Sequence, residues 1–118
     1  MRPIYITANS STGDSQAAIL DYLLAPANVM LSVELGGNTG GGASYTVYYS
    51  PDDPFATYVT SYLANANWYA HPTLTALAAD GVDQLTVPAR AVKLTTNTAG
   101  TGGTATPRMV VIQSGSTT

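Results

Sequence analysis

His71 is the only histidine in the chain, and so the only side chain of the usual general-base type. It precedes Pro72, which holds its backbone extended. Acyl transfer would also need an activated nucleophile and a carboxylate to orient the imidazole. Ser and Asp are available, but no Gly-x-Ser-x-Gly elbow or similar signature places them. His71 is therefore read as a structural residue, bonded to backbone beside Trp68. The acidic residues offer little more. Asp52-Asp53-Pro54 puts two carboxylates side by side, and Asp80 and Asp83 flank Gly81. Calcium takes six to eight oxygens, and this spacing matches no EF-hand loop. Asp before Pro is a common turn starter whose carboxylate caps nearby backbone N–H groups. Asp52 and Asp53 stay weak metal candidates beside that capping role. Gly36–Gly42 lacks the Lys-Ser/Thr that neutralises phosphate, and a strand pattern follows it where a phosphate loop opens a helix. It reads as a hairpin loop.

This scarcity is general. Only 9% of the 118 residues are charged, four basic and seven acidic, where soluble domains average about a quarter. Cysteine is absent, which excludes disulfides and thiolate metal sites and leaves the redox compartment open. The net charge of −3 is spread along the chain, giving no basic footprint for nucleic acid. No stretch approaches the ~20 apolar residues of a membrane span, and the N-terminus lacks a signal-peptide apolar run. The expectation is a single unprocessed domain with no catalytic residues and no cofactor. It would work by contact with other protein surfaces, binding neither nucleic acid nor membrane.

The elements that carry these residues follow a β period. Val29, Leu31, Val33 and Leu35 alternate with Met30, Ser32 and Glu34, as in a strand with one buried face. Tyr45–Ser50 is rich in β-branched and aromatic residues, and the glycines between the two segments suggest antiparallel neighbours. Arg90–Thr96 sets Val92 and Leu94 against Lys93. After a second glycine-rich turn (97–103), Met109–Gln113 is apolar on both faces, as a central strand or one covered at an interface would be. Ile4–Ala8, Leu74–Leu77 and Gln84–Val87 read as short strands. Residues 17–24 fit a helical turn or a strand, with strand favoured from its neighbours. Residues 58–63 are equally ambiguous. About eight short strands divided by Gly, Asn and Pro clusters suggest an all-β, two-sheet antiparallel sandwich of jelly-roll or immunoglobulin type.

Five aromatics (Phe55, Tyr58, Tyr62, Trp68, Tyr69) fall within fifteen residues. They could stack on sugar rings, anchor a protein interface or close the core. Trp68 reads best as core, whereas Tyr58 and Tyr62 are amphipathic and suit an interface.

One ordered set of features spans residues 19–115: the Tyr45-Thr-Val-Tyr-Tyr-Ser50 strand, Asp52-Asp53-Pro54, Trp68, His71-Pro72, Val87-Pro88-Ala-Arg90-Ala-Val-Lys-Leu94, and Val110-Val-Ile-Gln113 before a polar tail. In this order the motifs resemble small structural proteins of tailed bacteriophages, notably capsid decoration (cement) proteins with jelly-roll folds. Similar sandwiches also occur in tails and fibres. The resemblance implies a jelly-roll-like fold and a virion protein on the outer capsid surface, made in the host cytoplasm. It would bind the major capsid protein, bridge capsomers and self-associate as a dimer or trimer. The alternative it leaves is a tail or fibre module binding a host glycan or other receptor through aromatic residues. It transfers no catalytic or binding residue.

Both ends read as extensions of the domain: an N-terminal arm (1–5) able to add a strand to a sheet edge, and a polar tail (114–118). The candidate interface residues are Arg2, Pro3, Ile4, Tyr5, Tyr58, Tyr62, Val110 and Ile112.

Overall fold

Alternation of apolar and polar residues forces each long strand of this chain to bury one face, and two sheets stacked face to face meet that demand. The computed structural model describes residues 4–8, 12–20, 28–34, 44–52, 65–85, 89–98 and 107–114. Nine strands lie among them: β1 (Ile4–Thr7), β2 (Gly13–Asp14), β3 (Ala18–Ile19), β4 (Asn28–Glu34), β5 (Ser44–Ser50), β6 (Tyr69–Ala70), β7 (Gly81–Leu85), β8 (Ala91–Thr98) and β9 (Arg108–Ser114). One sheet has the order β1-β9-β4-β7. The other runs β2-β8-β5-β6, with β3 also on β8.

The pairing is nested. β1 pairs with β9, β2 and β3 with β8, β4 with β7, and β5 with β6, all antiparallel. The first half of the chain is thus laid against the second in reverse order and rolled into two sheets, which is the jelly roll. The turning point lies between β5 and β6. There Asp52 Oδ2 accepts the Asn67 backbone N–H at 2.7 Å and the Asn67 side-chain amide at 3.3 Å. β2 and β3 are two pieces of one strand, interrupted at Ser15. The Ser15 Oγ accepts the Leu94 N–H in place of a backbone carbonyl, and the Ser15 N–H donates to Leu94 O. Counted so, the roll has eight strands.

The core lies between the sheets. Ile6, Val29, Leu31, Val33, Met109 and Val111 face it from one side; Tyr45, Val47, Val92 and Leu94 face it from the other. β9 is central in its sheet, flanked by β1 and β4, as one of the two readings of its apolar run required.

Several sequence expectations are corrected. β4 and β5 are not hairpin neighbours: they lie in opposite sheets, so the glycine-rich segment between them joins sheets. Each strand gives its apolar face to the same core from opposite sides, which period alone could not distinguish from pairing. The second glycine-rich segment likewise carries the chain from β8 to β9 across the sandwich. Leu74–Leu77 is not a strand. It touches β5 through a bridge at Leu77 and through the Val47 N–H to Leu74 O bond, 2.8 Å. Its backbone is curled because Ala76 has a φ of 49° and His71 caps the turn before it. The expected Gln84–Val87 strand starts earlier, at Gly81; residues 86–88 lie outside the described residues. In the ambiguous 17–24 segment, Ala18–Ile19 is strand.

The expected arm is partly in the sheet, since Ile4 and Tyr5 pair with Val111 and Val110 of the same chain. Ser114, placed in the tail, ends β9 and pairs with Asn28. Residues 1–3, 58–63 and 115–118, with Arg2, Pro3, Tyr58 and Tyr62, lie outside the described residues.

Candidate functional site

His71 and Asp83 lie where the β6 end of one sheet meets β7 of the other. The imidazole is buried, and its Nδ1 accepts the backbone N–H groups of Thr73 and Leu74, each at 3.2 Å. That assigns the ring proton to Nε2, which donates to the Gln84 carbonyl on β7 at 2.9 Å. Both nitrogens are thus committed to backbone, and the ring ties the sheets together along this wall. Thr73 Oγ1 donates to the Asp83 carboxylate, which also accepts the Gln84 N–H. These bonds, the Thr73 hydroxyl first, hold the Asp83 carboxyl below the usual aspartate range. The arrangement is a lacing of two sheets.

Of the weak metal candidates, Asp52 spends its carboxylate on Asn67, and Asp53 lies outside the described residues. Among the described residues no group of three His, Cys, Asp or Glu is placed to hold a metal ion.

A second polar cluster lies on the outer face of the five-stranded sheet. Lys93 alternates with Val92 and Leu94, so it points away from the core, yet it is only 6% exposed. Its Nζ lies 2.8 Å from Asp14 Oδ2, 4.5 Å from the Trp68 ring centroid and 5.5 Å from that of Tyr48. Thr95 Oγ1 donates to Asp14 Oδ1 at 2.7 Å. Trp68 is therefore not a core residue, as the sequence reading had it. It is half-buried, covering an ammonium on the outside of the sheet, where cation–π attraction accounts for its position.

The outer face of the four-stranded sheet is different in kind. Registers β1–β9, β4–β9 and β4–β7 align Tyr5 with Val110, Val110 with Ser32, Met30 with Ile112, and Ser32 with Val82. All of these alternate with core residues and so point outward. Tyr5 is 63% exposed, Met30 40% and Val82 64%; Ile112 is half-buried, and Val110 is largely covered. One end carries an ion pair, Arg108 to Glu34 at 3.0 Å, with the Arg108 guanidinium 5.8 Å from the Tyr5 ring centroid. Three of the sequence-derived interface residues, Tyr5, Val110 and Ile112, are thereby brought onto one surface. Ile4 is not on it, since it packs against the core. Met30 and Val82 were missed, although Met30 stood out in the sequence as the apolar residue on the polar side of β4.

The fold and this surface define a jelly-roll domain whose outer sheet face groups exposed apolar side chains beside Ser32, Gln84 and the Arg108–Glu34 ion pair. Comparison with family models, with curated proteins and with solved structures finds no match for this chain.

Proposed function

We propose that this protein is a structural component of a tailed-bacteriophage virion, a decoration protein that binds the outer capsid surface and bridges capsomers. The observation that carries this reading is the outer face of the four-stranded sheet. Apolar residues on a solvent-facing sheet are the usual mark of a protein–protein contact. Low charge elsewhere suits many weak, neutral contacts with the major capsid protein. The order of sequence motifs adds the phage context. Multiplied over a repeated shell, such contacts hold by avidity although each is weak. Mass spectrometry of purified virions should detect the protein, and particles lacking it should lose integrity at lower temperature and on chelator treatment. Absence from virions, or equal survival of depleted particles, would overturn the reading.

The second reading, a tail or fibre module that binds a host glycan, is favoured by Tyr69. Tyr69 is 53% exposed, and its ring lies 6.0 Å from that of Tyr49, which packs against the core at the sheet margin, so one aromatic face is offered to solvent beside a half-buried one. Glycan-array binding abolished by Tyr69→Ala, with the fold intact, would select this reading.

A further inference from the structure

We infer that β1 is a strand-pairing edge, and that a second copy of this chain joins it antiparallel across a two-fold axis, making one continuous eight-stranded sheet from two four-stranded ones.

The edges of the two sheets are not alike. β6 has two residues, and beyond it the curled 71–77 segment takes up the backbone of Tyr45 and Val47 on β5. The β2–β3 edge is two short pieces split at Ser15. β7 carries Asp83, and its Gln84 carbonyl is taken by His71. Short strands, breaks, charges and covering segments are the devices by which edges avoid pairing with other chains. β1 is short, at four residues, but it has no break, no charge and, among the described residues, no segment bonded along its outer edge. It reads Ile-Tyr-Ile-Thr, is uncharged, contains no proline and runs in unbroken register with β9.

The wall beside it is open as well. Where His71 laces β6 to β7, the opposite wall holds a cavity of about 260 Å³ lined by Ile4–Thr7 and by Gln16, Ala17 and Ala18.

The backbone gives the register. The Ala8 N–H donates to Pro107 O, which fixes Ala8, Ile6 and Ile4 as the residues whose amides face β9. Tyr5 and Thr7 alternate with them, so their N–H and C=O groups point away from β9 and have no backbone partner among the described residues. A two-fold axis at Ile6 sets Tyr5 opposite Thr7 of the second copy and the reverse, and closes four backbone hydrogen bonds. This is the self-complementary contact that a two-fold dimer requires.

The joining also enlarges the outer face. Four strands about 4.8 Å apart and about six residues long give roughly 400 Å². Two such faces joined reach the order of 800 Å² that each partner contributes to a standard interface.

The test uses purified protein, so its outcome is independent of whether the chain belongs to a virion. Sedimentation equilibrium from micromolar to near-millimolar concentration should show a monomer–dimer equilibrium. Thr7→Pro removes an N–H that β9 does not use, and should raise the dimer Kd at least tenfold while leaving the melting temperature of the monomer near that of the parent. Should that variant fail to fold, cysteine pairing decides. Mixed Tyr5→Cys and Thr7→Cys chains should form a disulfide under mild oxidation that neither forms alone, the parent having no cysteine. A strictly monomeric or trimeric parent, an undiminished Thr7→Pro dimer, or no mixed disulfide would each overturn the inference.

Discussion

The ammonium of Lys93 sits 4.5 Å from the centroid of the Trp68 ring, on the side of its sheet that faces away from the core. The chain's one tryptophan is thus spent on covering one of its four basic residues. Asp14, from β2, completes the neutralisation, and the cluster ties three elements distant in sequence: β2, the segment before β6, and β8.

Removing either partner of this pair should have unequal consequences. Asp14→Ala leaves a largely buried ammonium without its counter-charge, and should cost about 3 kcal/mol. Lys93→Met keeps the aliphatic stem beneath Trp68 and removes the charge, and should lie within about 1 kcal/mol of the parent. Urea unfolding followed by the fluorescence of Trp68 measures both. Equal losses would mean that packing of the stem, not the charge, holds the cluster.

Two backbone positions near β7 should respond in opposite directions. A Cβ on Gly81 would lie 3.1 Å from Leu74 Cδ2 and 3.2 Å from Leu77 Cδ1, closer than comfortable contact. Gly81→Ala must push both leucines, and should destabilise by about 1 kcal/mol. Ala76 holds a φ of 49°, where an L side chain is strained. Ala76→Gly should relieve that strain and stabilise by up to about 1 kcal/mol, less the added freedom of the unfolded glycine. Thermal unfolding of the two variants should bracket the parent.

The sequence revealed the strands better than their partners. Alternation at Val29, Leu31 and Val33 marked β4, because one buried face leaves a period that can be read locally. The doubly apolar β9 left two readings, a central strand or one covered at an interface, and the sheet order selects the first. Sheet membership left no such trace. β4 and β5 show the same period whether they pair or face each other across the core, and the glycines between them permit either. The same limit applied to the sites. Tyr5, Val110 and Ile112 could be named as contact residues from their apolar character, but not that register would gather them with Met30 and Val82. The Lys93 cluster was out of reach, because Asp14 lies 79 residues away and only nested pairing brings it near.

Asp83 should make the wall between β6 and β7 acid-sensitive. The Thr73 hydroxyl and then the Gln84 N–H favour its ionised form, so its carboxyl titrates below the usual aspartate range. A carboxyl depressed on folding adds stability that is full at neutral pH. That stability is lost as pH falls from the unfolded-state value, near 4, through the lower folded one. Melting temperatures between about pH 2 and 6 should therefore fall less steeply for Asp83→Asn than for the parent. Parallel curves would show that Asp83 contributes nothing to the acid response.

Met30 and Leu31 are consecutive in β4 and should separate adhesion from folding. Leu31 is fully buried between the sheets, and truncation to Ala leaves a cavity costing about 3 kcal/mol. Met30 points outward and is 40% exposed, so Met30→Ala should cost less than about 1 kcal/mol in the isolated domain. On capsids the order should reverse. Met30→Ala, alone or with Ile112→Ala, should reduce the occupancy of purified particles severalfold, whereas Leu31→Ala protein that remains folded should attach as the parent does. Urea unfolding gives the first comparison, and quantitative mass spectrometry of particles incubated with each variant gives the second. Undiminished attachment of the Met30→Ala, Ile112→Ala double variant would remove this sheet face from the contact and return the adhesive role to another surface.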